Sequence, residues 1–358
     1  MHPQGIGKSV LRREDNRMLL GKGQYVADLL PENTYYCAFL RSPHAHALIQ
    51  GIDIEVAKNS PGVVSVLTGQ DMLKDGIGKM TPLWMIPGAD GSQMNEPPRY
   101  SITPDRVRHV GEIVALVVAR TVNQAIDAIE LIEVDYEVLN AVVDVKQAAQ
   151  NNAPQLHQEA PNNLCVRFHR GSSAPVDAAF AKAAHTIEVD IINHRIICAA
   201  LEPRAVLAQP SPSCGDDGHE LTLWSATQVP HHIRKLTSEQ LNIPENSIRV
   251  IAPDVGGGFG TKGKLYPEET ILAWACKKLN LTLKWTSTRS EAFISDYQAR
   301  DHSTHAEMAL DSDGFILGVR VNTYAAVGAY ISTVGAAVPT TVYTAVLSGP
   351  YKIPAVFA

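Results

Sequence analysis

The chain has 358 residues, of which 45% are hydrophobic and 19% are charged, and its formal net charge is −6. This length predicts two or three globular domains, since one domain usually holds roughly 100–200 residues. No segment approaches the roughly 18 consecutive apolar residues of a membrane helix, and the hydrophobic content is too high for a disordered chain. The acidic balance argues against general electrostatic binding of nucleic acid.

Five cysteines are scattered along the chain without a CxxC pair, which argues against a zinc knuckle or a disulfide framework. Dispersed thiols of this kind are typical of a reducing cytoplasm. The N-terminus lacks the apolar core of a signal peptide. Acidic residues follow Arg12-Arg13, where a twin-arginine signal would continue with apolar residues. The sequence therefore predicts a cytoplasmic protein.

The first half of the chain predicts short strands and helices. Its clearest unit is an apolar strand at Ile113–Ala119, a helix capped by Asn123 and an alternating strand at Glu133–Val138, which together predict a mixed α/β layer. Residues 80–106 are rich in proline and glycine and predict a long functional loop. A short helix is expected at 55–59. Further strands are expected at 36–40, 47–49 and 63–67.

The weakly patterned stretch from residue 140 to 163 predicts a domain boundary near residue 150. Beyond it, a helix is predicted at 231–241, and Pro267 begins another helix with acidic residues in its first turn. A hairpin is predicted around 311–314. Further strands are expected at 186–192, 205–208, 221–225, 247–252 and 281–286. The whole pattern predicts an α+β protein.

The most informative segment is Gly256-Gly257-Gly258-Phe259-Gly260, which joins a predicted strand to a predicted helix. Glycines let backbone N–H groups approach a ligand closely, and a helix N-terminus adds partial positive charge. An anion, a phosphate or a metal-bound oxo group is the expected ligand. The dinucleotide and Walker A motifs fit poorly, because the strand at 281–286 has no acidic residue and Gly263 follows Lys262. A glycine-rich turn without function is the alternative.

Polar residues beside apolar strands are further candidates. Gln228 ends the strand at 221–225, where its amide can bond an oxo group or a heterocycle, although alone it also fits a solvated loop. Glu202 and Arg204 predict a paired, partly buried ion bridge with a structural role. No GxSxG motif supports a serine hydrolase. The paired histidines lack a third ligand at the spacing of a zinc site. Surface or loop positions are therefore predicted for His44, His46, His231, His232, His302 and His305.

Nine motifs follow one another along the chain: RED at 13–15, GKGQY at 21–25, RSPHAHA at 41–47, PGV at 61–63, VGEIVA at 110–115, EVDYE at 133–137, EPR at 202–204, TQ at 227–228 and GGGFG at 256–260. In this order they resemble the large, molybdopterin-binding subunit of the molybdenum hydroxylases. This family comprises xanthine dehydrogenase, aldehyde oxidase and carbon monoxide dehydrogenase. The resemblance covers nearly the whole chain and is strongest to the bacterial carbon monoxide dehydrogenase and aldehyde dehydrogenase type.

The resemblance implies an N-terminal extension at 1–20, an α/β hammerhead domain at 21–140, a linker at 141–160 and a truncated first molybdopterin-binding domain at 161–358. It implies that Gln228 contacts an oxo ligand of molybdenum. It also implies that the loop residues Gly257, Gly258, Phe259 and Gly260 face the cofactor, which is expected in its cytosine dinucleotide form. No residue of the chain is assigned as a metal ligand.

The activity implied is hydroxylation of an aldehyde or an N-heterocycle, or oxidation of carbon monoxide, with water as the oxygen source. Electrons would pass to an iron–sulfur small subunit and an FAD medium subunit. Gly263 stands where purine-hydroxylating members carry Glu, which argues against a purine substrate.

The family's large subunit continues further than this chain, and its general-base Glu is expected beyond Ala358. The chain therefore resembles a fragment or one half of a split subunit, and it is expected to be inactive without the C-terminal half. A non-catalytic remnant or scaffold is one alternative. A nucleotide-binding α/β enzyme that uses residues 258–263 is a weaker one.

Overall fold

The structure is a computed structural model that describes Gly5 and residues 7–211 and 218–358. Cys214 lies outside the described residues. Within them the strands form three sheets, of seven, four and three strands. The strands are β1 (Thr34–Arg41), β2 (Ala47–Asp53), β3 (Val63–Thr68), β4 (Arg106–Val107), β5 (Ile113–Ala119), β6 (Glu133–Val138), β7 (His185–Asn193), β8 (Ala205–Pro210), β9 (Leu221–Ser225), β10 (Ile248–Ile251), β11 (Thr282–Thr286), β12 (His302–Leu310), β13 (Ile316–Ala325) and β14 (Val356–Phe357).

The helices are short, and the longest two flank the large sheet. They are α1 (Asp15–Leu19), α2 (Glu55–Lys58), α3 (Gly69–Lys74), α4 (Val122–Ile129), α5 (Val145–Ala148), α6 (Ser173–Lys182), α7 (Pro230–Leu241), α8 (Pro267–Leu279), α9 (Arg289–Ser295) and α10 (Tyr343–Ala345). Single 3₁₀ turns lie at Val26–Asp28, Pro161–Asn163 and Glu245–Ser247, and a π turn lies at Val338–Val342. No helix of the described chain is long and apolar enough to span a membrane.

The seven-stranded sheet, in the order β10-β9-β8-β11-β1-β5-β3, contains strands from both halves of the chain. The halves meet where β1 runs parallel to β11, with Thr34 opposite Thr282 and Tyr36 opposite Lys284. On its other side β1 pairs antiparallel with β5, whose residues are all buried. The expected linker therefore separates two segments that share one sheet.

Successive residues of β5 point to opposite faces of the sheet and pack into different clusters, as the two-residue period of a strand requires. Leu116 and Val118 face a core that includes Ile233 of α7 and Leu272 of α8. Ala115 and Val117 face a second core formed with alanines of α4. Helices thus cover both faces of the sheet, which explains why β5 is apolar without alternation.

The α+β fold is confirmed, and most predicted elements form within a few residues of their expected bounds. The strands β5, β6 and β9 match end to end, and β12 and β13 form the predicted hairpin. The predicted cap of α4 is wrong: Thr121 is the N-cap, and its side-chain oxygen accepts a hydrogen bond from the Gln124 N–H at 3.2 Å. The strands β5 and β6 flank α4 but belong to different sheets.

Candidate functional site

Gln228 follows β9 and is fixed by its backbone to the segment after the glycine-rich loop. The Gln228 N–H donates to the Lys262 carbonyl at 2.9 Å, and the buried Thr227 hydroxyl donates to the same carbonyl at 3.1 Å. These bonds place the exposed Gln228 side chain next to the glycines. Its Oε1 accepts a hydrogen bond from the Gly260 N–H at 3.0 Å.

The glycine-rich loop, residues 256–260, presents unpaired backbone donors. The N–H groups of Gly257, Gly258 and Phe259 have no hydrogen-bond partner in the described part of the chain. The loop turns through left-handed conformations, with φ of +98° at Gly257, +50° at Phe259 and +85° at Gly260. Successive free N–H groups in such a turn form a concave anion-binding nest. Phe259 lies at its tip with 75% of its surface exposed.

The loop lies so close to its neighbours that glycine is required. A Cβ atom on Gly258 would lie 2.5 Å from the side-chain amide of Gln228, and one on Gly256 would lie 2.5 Å from the Cβ atom of Glu202. The sequence prediction that the loop and Gln228 act at one place is consistent with this geometry. The structure brings both to the same spot, next to the nest.

The expected contribution of a helix N-terminus is wrong. Helix α8 begins at Pro267, and residues 261–266 separate it from Gly260. This segment is largely buried, since Thr261 and Tyr266 are 3% and 1% exposed. The N–H of Tyr266 is capped by the Glu269 carboxylate at 2.8 Å. The donors that the loop presents are therefore its own free N–H groups.

A buried ion pair lies directly behind the loop. Lys262 Nζ and Glu202 Oε2 are 2.8 Å apart, with 1% and 11% of their side chains exposed. The same Glu202 oxygen accepts a hydrogen bond from the Gly256 N–H at 2.6 Å. Burial lowers the pKa of Lys262, and the charge of Glu202 opposes that shift.

The predicted pairing of Glu202 with Arg204 is wrong. The chain bends at Glu202, and the two side chains have different partners, since Glu202 contacts Lys262. Arg204 contacts Glu268 through bonds of 2.7 and 3.0 Å and Asp296 through one of 2.6 Å. A structural role is nevertheless consistent with this buried position, since the Arg204 side chain is 3% exposed.

Helix α8 carries two adjacent buried carboxylates with opposite pKa shifts. Burial opposes ionisation of Glu268, but the charges of Arg204 and Arg41 lower its pKa to about 2. Burial raises the pKa of Glu269 to about 7, although Arg204 acts in the opposite direction. Glu269 accepts bonds from the Tyr266 N–H and from the Ser225 hydroxyl. Glu268 is thus charged at neutral pH, while Glu269 holds its proton up to about pH 7.

His46 and His305 contact groups outside the glycine-rich loop and Gln228. His46 lies in the bend before β2, as predicted for a loop histidine, where it is 4% exposed and its Nδ1 contacts the Asn140 carbonyl at 2.8 Å. His305 lies near Glu188 and Glu307 on the four-stranded sheet, within reach of a shared cation. Arg320 already binds Glu307 through two bonds of 2.5 and 2.6 Å. The cluster is therefore explained as a cross-strand ion network.

The fold is of the α+β class, and the free N–H groups of the loop are suited to an anionic ligand. The sequence profile of the molybdopterin cofactor-binding domain matches residues 156–358. The profile of the aldehyde oxidase and xanthine dehydrogenase a/b hammerhead domain matches residues 20–140. The chain therefore belongs to the molybdenum hydroxylase family, and its relatives are large subunits of these enzymes.

Among curated proteins, the chain is 35% identical to the nicotine 6-hydroxylase large subunit of Paenarthrobacter nicotinovorans, over 91% of this chain and 38% of that protein. It is also 35% identical to the carbon monoxide dehydrogenase large chain of Afipia carboxidovorans, over 91% of this chain and 40% of that protein. Among solved structures, quinoline 2-oxidoreductase of Pseudomonas putida 86 superposes with a TM-score of 0.86 at 34% identity, over 98% of this chain and 43% of that one. The chain thus spans about two fifths of the length of these relatives.

Proposed function

We propose that this chain binds molybdopterin through the loop at 256–260 and Gln228, as part of an oxidoreductase large subunit. The reaction proposed is hydroxylation of an aldehyde or an N-heterocycle, or oxidation of carbon monoxide, with oxygen taken from water. Family membership supports the cofactor. The observation that carries the choice of residues is the hydrogen bond between Gln228 Oε1 and the Gly260 N–H.

That hydrogen bond makes the site suitable for oxo or phosphate oxygens. Because Oε1 of Gln228 accepts from Gly260, the other end of the amide is an NH₂ donor, and it has no partner within the described residues. The free N–H groups of Gly257, Gly258 and Phe259 add further donors nearby. The donor set therefore fits an anionic, oxygen-rich group.

The bound molybdenum centre supplies the two-electron oxidation of the substrate, while the protein binds and orients it. In this proposal Gln228 and the loop amides hold the cofactor in one orientation. The Gln228 amide is held by the loop before any ligand arrives, so little orientation entropy is lost on binding. The exposed ring of Phe259 lies at the loop tip, where it can shield the cofactor from water.

The finer parts of the proposal concern substrate, cofactor form and partners. Relatives named for nicotine and quinoline favour an N-heterocycle, with an aldehyde and carbon monoxide as alternatives. Gly263, whose N–H donates to the Gly260 carbonyl at 3.2 Å, brings no carboxylate to the site, as expected for a substrate other than a purine. We also propose domain limits at 21–140 and 161–358 and a cytosine dinucleotide cofactor. A cytoplasmic location is proposed as well, consistent with the four free cysteines among the described residues.

Turnover is proposed to need an iron–sulfur subunit, an FAD subunit and the further part of the large subunit that the relatives contain. That part would be joined to this chain or supplied by a separate C-terminal half. A relative of this chain is named as one subunit of the 6-hydroxypseudooxynicotine dehydrogenase complex. A non-catalytic scaffold is the second candidate, and it predicts the same fold without molybdenum.

The test is to purify the complex from the native host through a tag on this chain. Molybdenum is measured by elemental analysis and the pterin by its fluorescence after oxidation. An aldehyde, nicotine, quinoline and carbon monoxide are then assayed with a dye acceptor in isotopically labelled water. We expect molybdenum, pterin and labelled product from one substrate class. A complex that contains its partners but neither molybdenum nor pterin would favour the scaffold.

A further inference from the structure

Glu202 joins the beginning of the glycine-rich loop to the segment that follows it. Its backbone N–H donates to the Gly256 carbonyl at 3.1 Å, and its Oε2 accepts from the Gly256 N–H at 2.6 Å. The same oxygen contacts Lys262 Nζ at 2.8 Å. One carboxylate oxygen therefore joins Gly256, at the start of the loop, to Lys262, two residues after its end.

Lys262 extends this connection to the strand that carries Gln228. Its carbonyl accepts hydrogen bonds from the Gln228 N–H and from the Thr227 hydroxyl. A continuous path thus runs from Gly256 through Glu202 and Lys262 to Gln228. It holds the free loop amides and the Gln228 side chain at a fixed separation.

Fold stability alone is a poor explanation for this pair. Desolvation of a buried ion pair often cancels its Coulombic gain, and apolar replacements are frequently neutral or stabilising. The arrangement carries an additional cost, because Oε1 of Glu202 is buried without a hydrogen-bond partner among the described residues. The contacts indicate instead that the ion pair fixes the geometry of the loop.

We propose that Glu202 and Lys262 are positioning residues, which set the distance between the Gln228 amide and the free N–H groups of the cofactor loop. This inference rests on the proposed function. It assigns the pair a role in cofactor retention, exerted through Gln228 and the loop without contact to the cofactor. Loss of the ammonium group would leave the far end of the loop free to move relative to Gly256.

The experiment compares Lys262→Met, the double variant Glu202→Gln/Lys262→Met, and the control Lys277→Met. The control breaks the ion pair between Lys277 and Glu220, which is 2.5 Å long, more exposed and shares no residue with the loop. Each tagged complex is purified from the native host, and molybdenum and pterin are measured per chain after dialysis. Thermal unfolding is measured on the same complexes from cells grown without molybdate, so that cofactor binding does not contribute to stability.

We expect Lys262→Met to lower retained molybdenum roughly tenfold. This factor corresponds to about 1.4 kcal/mol, which is comparable to the loss of one hydrogen bond. The double variant removes the unpaired buried charge, so its unfolding temperature should return to that of the wild type. Its molybdenum content should stay low, and the control should keep its molybdenum.

Recovery of molybdenum together with stability in the double variant would show a purely structural pair and overturn the inference. Full retention in Lys262→Met would do the same. A wild-type complex without molybdenum would overturn the proposed function and, with it, this inference, so the two failures are distinguishable.

Discussion

The Gln228 side chain accepts a hydrogen bond of 3.0 Å from the Gly260 N–H through Oε1. This contact determines which end of the amide is the acceptor, because a backbone N–H can only donate. The NH₂ end is therefore the donor offered to a ligand. The protein fixes this orientation, so the proposed site would be organised before the cofactor binds.

The role of the Gln228 amide can be tested by two substitutions. We expect Gln228→Ala to weaken cofactor retention and abolish turnover in the assembled enzyme, with little change in stability because the side chain is exposed. Gln228→Glu keeps an acceptor for Gly260 but loses the donor, so its molybdenum content should also fall. Elemental analysis and thermal unfolding are the measurements. Unaltered turnover in either variant would exclude Gln228 from the site.

A side chain at position 258 should displace Gln228. A Cβ atom there would lie 2.5 Å from the Gln228 amide, and the flexible glutamine would move away to relieve the clash. We expect Gly258→Ala to fold normally and to retain less molybdenum. Gly51→Ala is the matched control, because a Cβ atom at that position has no neighbour within 4 Å. Equal molybdenum content in the two variants would contradict this prediction.

Glu268 should be important for stability. It binds Arg41 and Arg204 at 2.7 Å each, and Glu268→Gln leaves these buried arginines short of negative charge. We expect a loss of about 3–5 kcal/mol at neutral pH, as when one partner of a buried pair is removed. Since the folded-state pKa of about 2 lies below the ordinary value, the advantage of the wild type should shrink as the pH falls from about 4 towards 2. Denaturant unfolding at several pH values measures it.

Glu269 should have the opposite pH dependence. Its pKa in the folded protein is raised to about 7, so the folded state binds a proton that the unfolded state has released. Stability should therefore fall as the pH rises from about 4.5 to 7 and then level off. Glu269→Gln removes this loss. We expect the variant to be more stable than the wild type by about 1–3 kcal/mol at pH 8 and equally stable below about pH 4.

The control for Glu269→Gln is Glu130→Gln, at an exposed position after α4. Its unfolding curve should follow the wild type at every pH. An unchanged pH profile in Glu269→Gln would mean that the carboxylate of Glu269 is ionised in the folded protein.

Local patterns predicted the strands well, because apolar runs and alternation are properties of a few neighbouring residues. Strand β5 is continuous and apolar, and it was predicted end to end. Helix α6 was missed because its apolar stripe is weak, with Val176 as its buried residue. The pairing of β1 with β11 has no local signal, since it joins residues from opposite ends of the chain.

The site was predicted in part for the same reason. The glycine-rich loop and Gln228 are recognisable as motifs, and the structure brings them into contact. Lys262 was noticed in the sequence only as a failed Walker A lysine. Its pairing with Glu202 could not be predicted, because the two residues lie 60 positions apart and Arg204 was an equally plausible partner for Glu202. Only the three-dimensional arrangement separates the two ion pairs.

The parallel pairing of β1 with β11 has a consequence for biosynthesis. Thr34 cannot meet Thr282 until about 250 further residues have left the ribosome, and such non-local pairing is slow to form. Until then one edge of β1 lies open, and open strand edges invite aggregation. The nascent N-terminal half is therefore expected to depend on chaperones until the strand that closes its sheet has been made.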